Sequence, residues 1–244
     1  MVSTTGLSKK QLGVLGQLKR VPAFKGFYLA GGSAVGWLYQ HRRSADLDFF
    51  SRGKVDSLDV VVAALVDEGA SVHAQTDVSA ALRASGVPID LVNYPYAPLK
   101  KTTRGPQGFA LASPVDLAVM KLGAISRRGL RRDFWDLEEI ARHGVALADA
   151  AAAYIERFGV AEADLYHVLR ALTFFDDAER EPVLPVAHLE AAAERHVDHL
   201  AKQLLREGGE FGLPLGVGAG DDGIPVFQKS CHDVFVVSGL PTVT

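Results

Sequence analysis

Apolar residues recur along this chain at two different periods, and the switches between them mark out its elements. Over residues 8–20, Leu12, Leu15 and Leu18 lie at helical spacing behind Ser8, a favoured helix N-cap. Residues 26–30 are apolar and aromatic throughout, as a buried strand would be, and Gly31 and Gly32 then permit a turn that side chains would block. Ser33 is the expected N-cap of the next helix, in which Val35, Leu38 and Tyr39 share a side. From Ala45 to Phe50 the period becomes two. Asp46 and Asp48 project from one face of this predicted strand, and Leu47 and Phe49 from the other, towards a core.

A helix opening at Asp56, with Asp59 in its first turn and Gly69 at its end, buries Val61, Val62, Leu65 and Val66. Strands are then predicted over 71–77, 80–84 and 87–93, the last two forming a hairpin around Ser85-Gly86. Residues 94–108 are a loop carrying Lys100, Lys101 and Arg104, which either are merely solvated or steer a polyanion. A short strand over 109–112 leads to Ser113-Pro114-Val115-Asp116, a helix start in which serine caps and Asp116 closes a capping box. That helix carries Leu117, Met120, Lys121 and Ile125, is interrupted over 127–132, and resumes with Asp133, Trp135, Asp136, Leu137 and Ile140 before Gly144. Helices follow over 148–158, 162–175 and 186–206, then a glycine-rich linker over 207–223 and an apolar segment over 226–237.

Composition narrows the class. Hydrophobic residues make up 48% of the 244, enough for one large or two small globular domains. Lysine and arginine number 26 against 29 acidic residues, a net charge of -3, so an RNA partner would need a local basic patch. Cys231 is the single cysteine, which excludes an intramolecular disulfide. There is no apolar run that reads as a signal peptide or a membrane span, so the expected location is the cytoplasm. His196 and His199, beside Asp198, have no credible third ligand nearby and read as surface histidines.

The chemistry concentrates between Tyr28 and Phe50. A helix start reached through glycines presents free backbone N–H groups, a natural phosphate site. Two carboxylates side by side repel each other unless a cation sits between them, and hard oxygen ligands suit magnesium shared with substrate phosphates. Gly31 and Gly36 have the spacing of P-loop glycines, but Trp37-Leu38 stands where lysine and a hydroxyl residue are required. No G-x-G-x-x-G is present for a dinucleotide fold. In the strand over 87–93, Asp90 is an acidic residue among apolar ones, costly to bury unless something binds it.

Gly31-Gly32-Ser33, followed after a short helix by Asp46-x-Asp48, resembles the nucleotidyltransferase signature of the DNA polymerase beta-like superfamily. The longer form, with Arg43-Ser44 ahead of Asp46-Leu47-Asp48-Phe49-Phe50, is similar to the AbiEii/AbiGii-type toxin nucleotidyltransferases. Lys121, Arg128 and Arg132-Asp133-Phe134-Trp135-Asp136-Leu137 resemble the downstream motif of the same family. The resemblance implies an α+β fold: a small mixed sheet flanked by helices, the polymerase beta-like nucleotidyltransferase core, followed by a C-terminal helical bundle. The expected division is a catalytic domain over 1–112, a helical domain over 113–206 completing the cleft, and a linker and tail over 207–244.

On this reading Asp46, Asp48 and Asp90 hold one or two Mg2+ ions, with Asp90 also acting as general base. Gly31, Gly32 and Ser33 hold the β and γ phosphates of an NTP, with Arg43 and Ser44 as further nucleotide-binding residues. Lys121 stabilises the departing pyrophosphate. Arg128 and Arg132 act likewise or contact an RNA backbone, and Asp133 and Asp136, one helical turn apart, orient these cations. The resemblance also implies a toxin with a separately encoded antitoxin, in a toxin–antitoxin or phage-defence pair, acting on RNA at the 3′ end of tRNA. Two alternatives stay open: transfer to a protein or to a small molecule such as an antibiotic, and an inactive nucleotide-binding module. A basic patch beside the cleft would favour RNA, and a narrow closed pocket a small acceptor.

Overall fold

The structure is a computed structural model that describes residues 6–53 and 58–172. Asp56, the helix over 186–206 with His196 and His199, and everything expected over 207–244, Cys231 included, lie outside the described residues.

Helix α1 (Lys9–Leu18) starts with a complete capping box, Ser8 accepting from the Gln11 amide and the Gln11 side chain accepting from the Ser8 amide. Its buried face is Val14, Leu15 and Leu18, while Leu12 is only partly covered. Strand β1 (Phe27–Ala30) is buried along its whole length. It runs straight into α2 (Gly31–Tyr39), and β2 (Leu47–Ser51) returns antiparallel to β1 with alternating burial. Phe49 points away from Asp48 into the aromatic side of the core, its ring 4.7 Å from Phe24 and 5.3 Å from Phe109.

Helix α3 (Asp59–Asp67) buries Val61, Val62 and Leu65. The meander β3 (Ser71–Gln75), β4 (Ser79–Ala84) and β5 (Val87–Val92) follows, β4 and β5 joined by Ser85-Gly86, both at positive φ. Strand β5 lies parallel to β2, and this places residues 48 and 90 side by side. Two short strands, β6 (Thr103–Arg104) and β7 (Ala110–Leu111), extend the other edge, β7 parallel to β1. Among the described residues the sheet is mixed and seven-stranded, in the order β3-β4-β5-β2-β1-β7-β6.

Helices α4 (Pro114–Arg128), α5 (Arg131–Arg142), α6 (Leu147–Phe158) and α7 (Glu162–Ala171) follow the sheet. The break between α4 and α5 is Gly129, left-handed at φ 51°, and Leu130. One apolar cluster runs through the sheet and these helices, from Leu15 and Leu29 to Leu122, Ile140 and Val168.

Two expected caps are corrected. Ser33 does not cap α2: the helix begins three residues earlier than that cap would place it, at Gly31, with Ala30 in the cap position and no side-chain cap. The chain turns out of β1 on Gly31 itself, at φ 56°, which leaves Ser33 inside the first turn. Its hydroxyl donates to Ala30 O (3.0 Å) and accepts from the Asp48 amide (3.3 Å), tying α2 to β2. Ser113 caps α4 as expected, accepting from the Asp116 amide (3.1 Å), but the Asp116 carboxylate meets the Ser113 hydroxyl and not its backbone amide, so the box is not closed. That carboxylate also accepts from the Leu99 and Lys100 amides (2.9 and 3.2 Å) and pairs with Arg157, because the packed loop and α6 offer it further donors.

Candidate active site

The site forms where β1 hands over to α2 and where β2 and β5 begin side by side. Asp48 and Asp90 are partners in the β2–β5 register, and Asp46 sits one residue ahead of β2. Each of the three offers a carboxylate oxygen within 4.8 Å of the others, and each is partly buried. The loop that carries Asp46 is pinned from below. Gln11 Nε2 donates to the carbonyls of Ser44 and Asp46 (3.1 and 3.3 Å), and the Ser44 hydroxyl donates to Asp46 Oδ1 at 2.7 Å.

Burial and neighbouring like charges both disfavour an ionised carboxylate. Burial, reinforced by Asp46 and Asp90 and opposed by Lys121 and Arg128, pushes Asp48 up to about 7. Burial and Asp46 push Asp90 up as well. The donor set is all hard oxygen and its repulsion is only partly offset by Lys121 and Arg128, so it fits a divalent cation.

Gly31 is needed for two reasons. Its φ of 56° belongs to the left-handed region, and a Cβ there would run into the Asp48 carboxylate. Gly31→Ala is therefore expected to displace Asp48 and to lose ~1–2 kcal/mol from backbone strain alone. Thermal melting and Mn2+ titration would read the two effects; unchanged metal affinity would show that Asp48 tolerates the methyl group.

A buried bank of cations lies behind the carboxylates. Asp136 and Asp133 on α5 are both fully buried. Lys121 Nζ lies 2.8 Å from Asp133 and 2.7 Å from Asp136. Arg42 grips Asp136 with Nε and Nη2, both at 2.6 Å, and His41 Nε2 adds a contact at 2.8 Å. Arg128 reaches Asp133 through Nε at 3.0 Å and Nη2 at 3.3 Å. Burial alone would depress the Lys121 ammonium, but Asp136 and Asp133 outweigh it and hold its pKa above the ordinary value. Burial would likewise raise Asp136, yet Lys121, His41 and Arg42 hold it well below the usual carboxylate range.

The expected site residues thus come together in two tiers. Gly31, Gly32, Ser33, Asp46, Asp48 and Asp90 form the outer tier, in which Gly32 and Ser33 are themselves buried, with Ser44 supporting Asp46. Lys121, Asp133 and Asp136 form the inner one. Arg128 bridges them: 52% of its side chain is exposed, against 6% for Lys121. Arg43 is exposed on the loop, and its carbonyl accepts from Arg42 Nη1 at 3.2 Å.

Sequence reasoning missed Arg42, His41 and Gln11. Arg42 is the most consequential, since its Nη2 lies 2.5 Å from where a Cβ on Gly32 would sit. Its position just ahead of Arg43-Ser44 was visible, but its partner Asp136 is 94 residues away.

The class of protein this fold and site define is a nucleotidyltransferase. The family model described as "Nucleotidyl transferase AbiEii toxin, Type IV TA system" matches residues 78–209, more than half of the chain, and the chain belongs to that family. The matched span includes Asp90, Lys121, Arg128, Asp133 and Asp136; the glycine turn, Asp46 and Asp48 lie ahead of it. An uncharacterized protein of Aquifex aeolicus (strain VF5) is 28% identical over 179 residues, covering 72% of this chain and 86% of that one. Among solved structures, a candidate nucleotidyltransferase from H. pylori aligns at 15% identity with a TM-score of 0.45, over 82% of this chain and 95% of its own. MenT4, a nucleotidyltransferase toxin of Mycobacterium tuberculosis H37Rv, aligns at 13% identity and a TM-score of 0.40, over 72% of this chain and 68% of its own.

Proposed function

We propose that the protein is a Mg2+-dependent nucleotidyltransferase that moves an NMP from an NTP to a hydroxyl of RNA, the 3′ end of tRNA being the acceptor. It would be the toxin of a toxin–antitoxin or phage-defence pair with a separate antitoxin. The observation that carries this reading is the triad of Asp46, Asp48 and Asp90, gathered within 4.8 Å against a glycine-turned helix start.

Asp46, Asp48 and Asp90 are the residues that would hold Mg2+, which when bound neutralises charge on the phosphates at the reacting phosphorus. The amides at the start of α2, at Gly31, Gly32 and Ser33, face the β and γ phosphates. Arg128, anchored at Asp133 and half exposed, is the cation best placed to touch phosphate oxygens. Lys121 supports that cation bank from inside and acts on the pyrophosphate through its field. Asp90, its pKa raised, accepts the proton of the attacking hydroxyl. The new bond is between that oxygen and the α phosphorus, and pyrophosphate leaves.

Residues 1–112 are proposed as the catalytic domain and 113–206 as the helical wall, working in the cytoplasm. Among the described residues no helix is long and apolar enough to cross a membrane.

The test is label transfer. Incubation with Mg2+, each of the four α-labelled NTPs and total RNA or total protein should put label on RNA. Label on protein alone would redirect the reading to a protein acceptor, and failure to bind any NTP would leave an inactive module.

A pH effect follows from Asp48. Between the ordinary carboxylate pKa of 3.8 and about 7, the folded protein holds a proton that the unfolded chain has lost. Stability of the metal-free protein should therefore fall as pH rises from 5 to 7.5, by about 2–4 kcal/mol in all. Mg2+ should restore the melting temperature at pH 8 and do little at pH 5. A melting temperature indifferent to pH over that window would contradict the burial and crowding of Asp48.

A further inference from the structure

The two central carboxylates belong to a register row that crosses five strands. Ala74 on β3 faces Ala81 on β4, Ala81 faces Asp90 on β5, Asp90 faces Asp48 on β2, and Asp48 faces Ala30 on β1. Residues paired in this way share a sheet face. Asp48 and Asp90 are therefore flanked by alanine on both sides, and the face falls away from them in two directions.

The two directions differ. On the Ala30 side stand Gly31, Gly32 and the start of α2, the end proposed above for the triphosphate. On the other side Ala81 is half-buried, Ala74 is exposed, and all five residues of β3 are exposed. The bare strip is bordered towards the β3–β4 turn by the hydroxyls of Thr76 and Ser79, which line a shallow depression against Asp90. Towards the hairpin it is bordered by Arg83, exposed and two residues from Ala81 on the same face, with Nη1 donating to Gly86 O at 3.2 Å.

Phosphoryl transfer places the attacking and leaving oxygens roughly in line, on opposite sides of the phosphorus. With pyrophosphate leaving towards α2, the nucleophile has to arrive from the β4–β3 side, where Asp90 stands. We propose that Ala81 and Ala74 floor the seat of the acceptor, an RNA 3′-terminal nucleotide laid across β4 and β3 with its hydroxyl at Asp90 and its backbone phosphate beside Arg83. From Asp90 to Ala74 is two strand spacings, about 10 Å, the breadth of a nucleoside. A floor of methyl groups accepts a flat base, and the guanidinium at its border matches a phosphate better than a peptide backbone. This assignment rests on the nucleotidyltransferase reading and adds the acceptor's place within it.

The test fills the seat while leaving all three carboxylates in the sequence. Ala81→Phe should lower kcat/KM for RNA about 30-fold or more by misplacing the acceptor. The Kd for Mg2+–NTP, and for Mg2+ with inorganic triphosphate, should stay within about twofold, because the triphosphate end is untouched. Arg83→Glu should raise the KM for RNA with kcat retained and should flatten its salt dependence. Ala74→Phe, at an exposed edge position, gives the same reading should Ala81→Phe fail to fold. Wild-type transfer rates in Ala81→Phe or Ala74→Phe overturn the seat. Wild-type label on protein rather than RNA overturns its occupant. Mg2+–NTP binding with no transfer to any acceptor sinks the nucleotidyltransferase reading itself, an outcome distinct from both.

Discussion

Asp48→Asn should reduce nucleotide transfer by about a thousandfold or more while making the metal-free protein more stable. Asp48 stands between Asp90 and Ala30 in the sheet register, and its carboxylate lies against Gly31. Asparagine keeps the shape, so the fit to Gly31 and the amide bond to Ser33 survive. What is lost is one of three negative charges that hold the cation, an effect of several kcal/mol on charge stabilisation at the reacting phosphorus. What is gained is relief of the burial cost and the repulsion that together lift Asp48 to about 7. Single-turnover transfer and thermal melting at pH 8 without metal measure the two sides. Transfer within tenfold of wild type would remove Asp48 from the metal site. A melting temperature that falls would mean that the carboxylate, not the metal it awaits, is structural.

Asp136→Ala is expected to be the most destabilising single change in the site. It strips the shared acceptor from Lys121, Arg42 and His41, which lie 2.7, 2.6 and 2.8 Å away and are nearly inaccessible to water. Uncompensated buried charge of this kind costs about 3–5 kcal/mol, which for a chain of this size lowers the melting temperature by roughly 10 °C. The loss should also spread. Arg42, freed from Asp136, no longer lies against Gly32, so the start of α2 loses its backing. Asp133→Ala should cost less, because Arg128 is half exposed and water can take over its partner's place. The pH signature is opposite to that of Asp48. Asp136 titrates well below the ordinary range, so its contribution is complete above about pH 4 and is lost only as pH falls further. Equal melting temperatures for Asp136→Ala and wild type at pH 7 would show that the network is not a structural prop.

The local half of this protein was written in its residue order. Periodicity placed β1, α2, β2 and the β4–β5 hairpin close to where they lie, because each is decided by neighbours a few residues apart: glycines that turn, alternation that chooses a face, a serine that caps. The motif spacing also brought Asp46 and Asp48 together, and singled out Asp90 as an anomaly within an apolar strand. Tertiary structure alone decided what those groups meet. That Asp90 pairs with Asp48 follows from β5 lying parallel to β2, a register set by burial of Ile89 and Leu91. That Arg42 serves Asp136, and that Lys121 turns inwards between two carboxylates, depends on α4 and α5 packing beside α2. Even the Ser33 cap was displaced, because the strand delivered the chain into the helix three residues early. Spacing along a chain shows which charges exist, but the partner of a buried charge is chosen by whichever distant segment desolvates it.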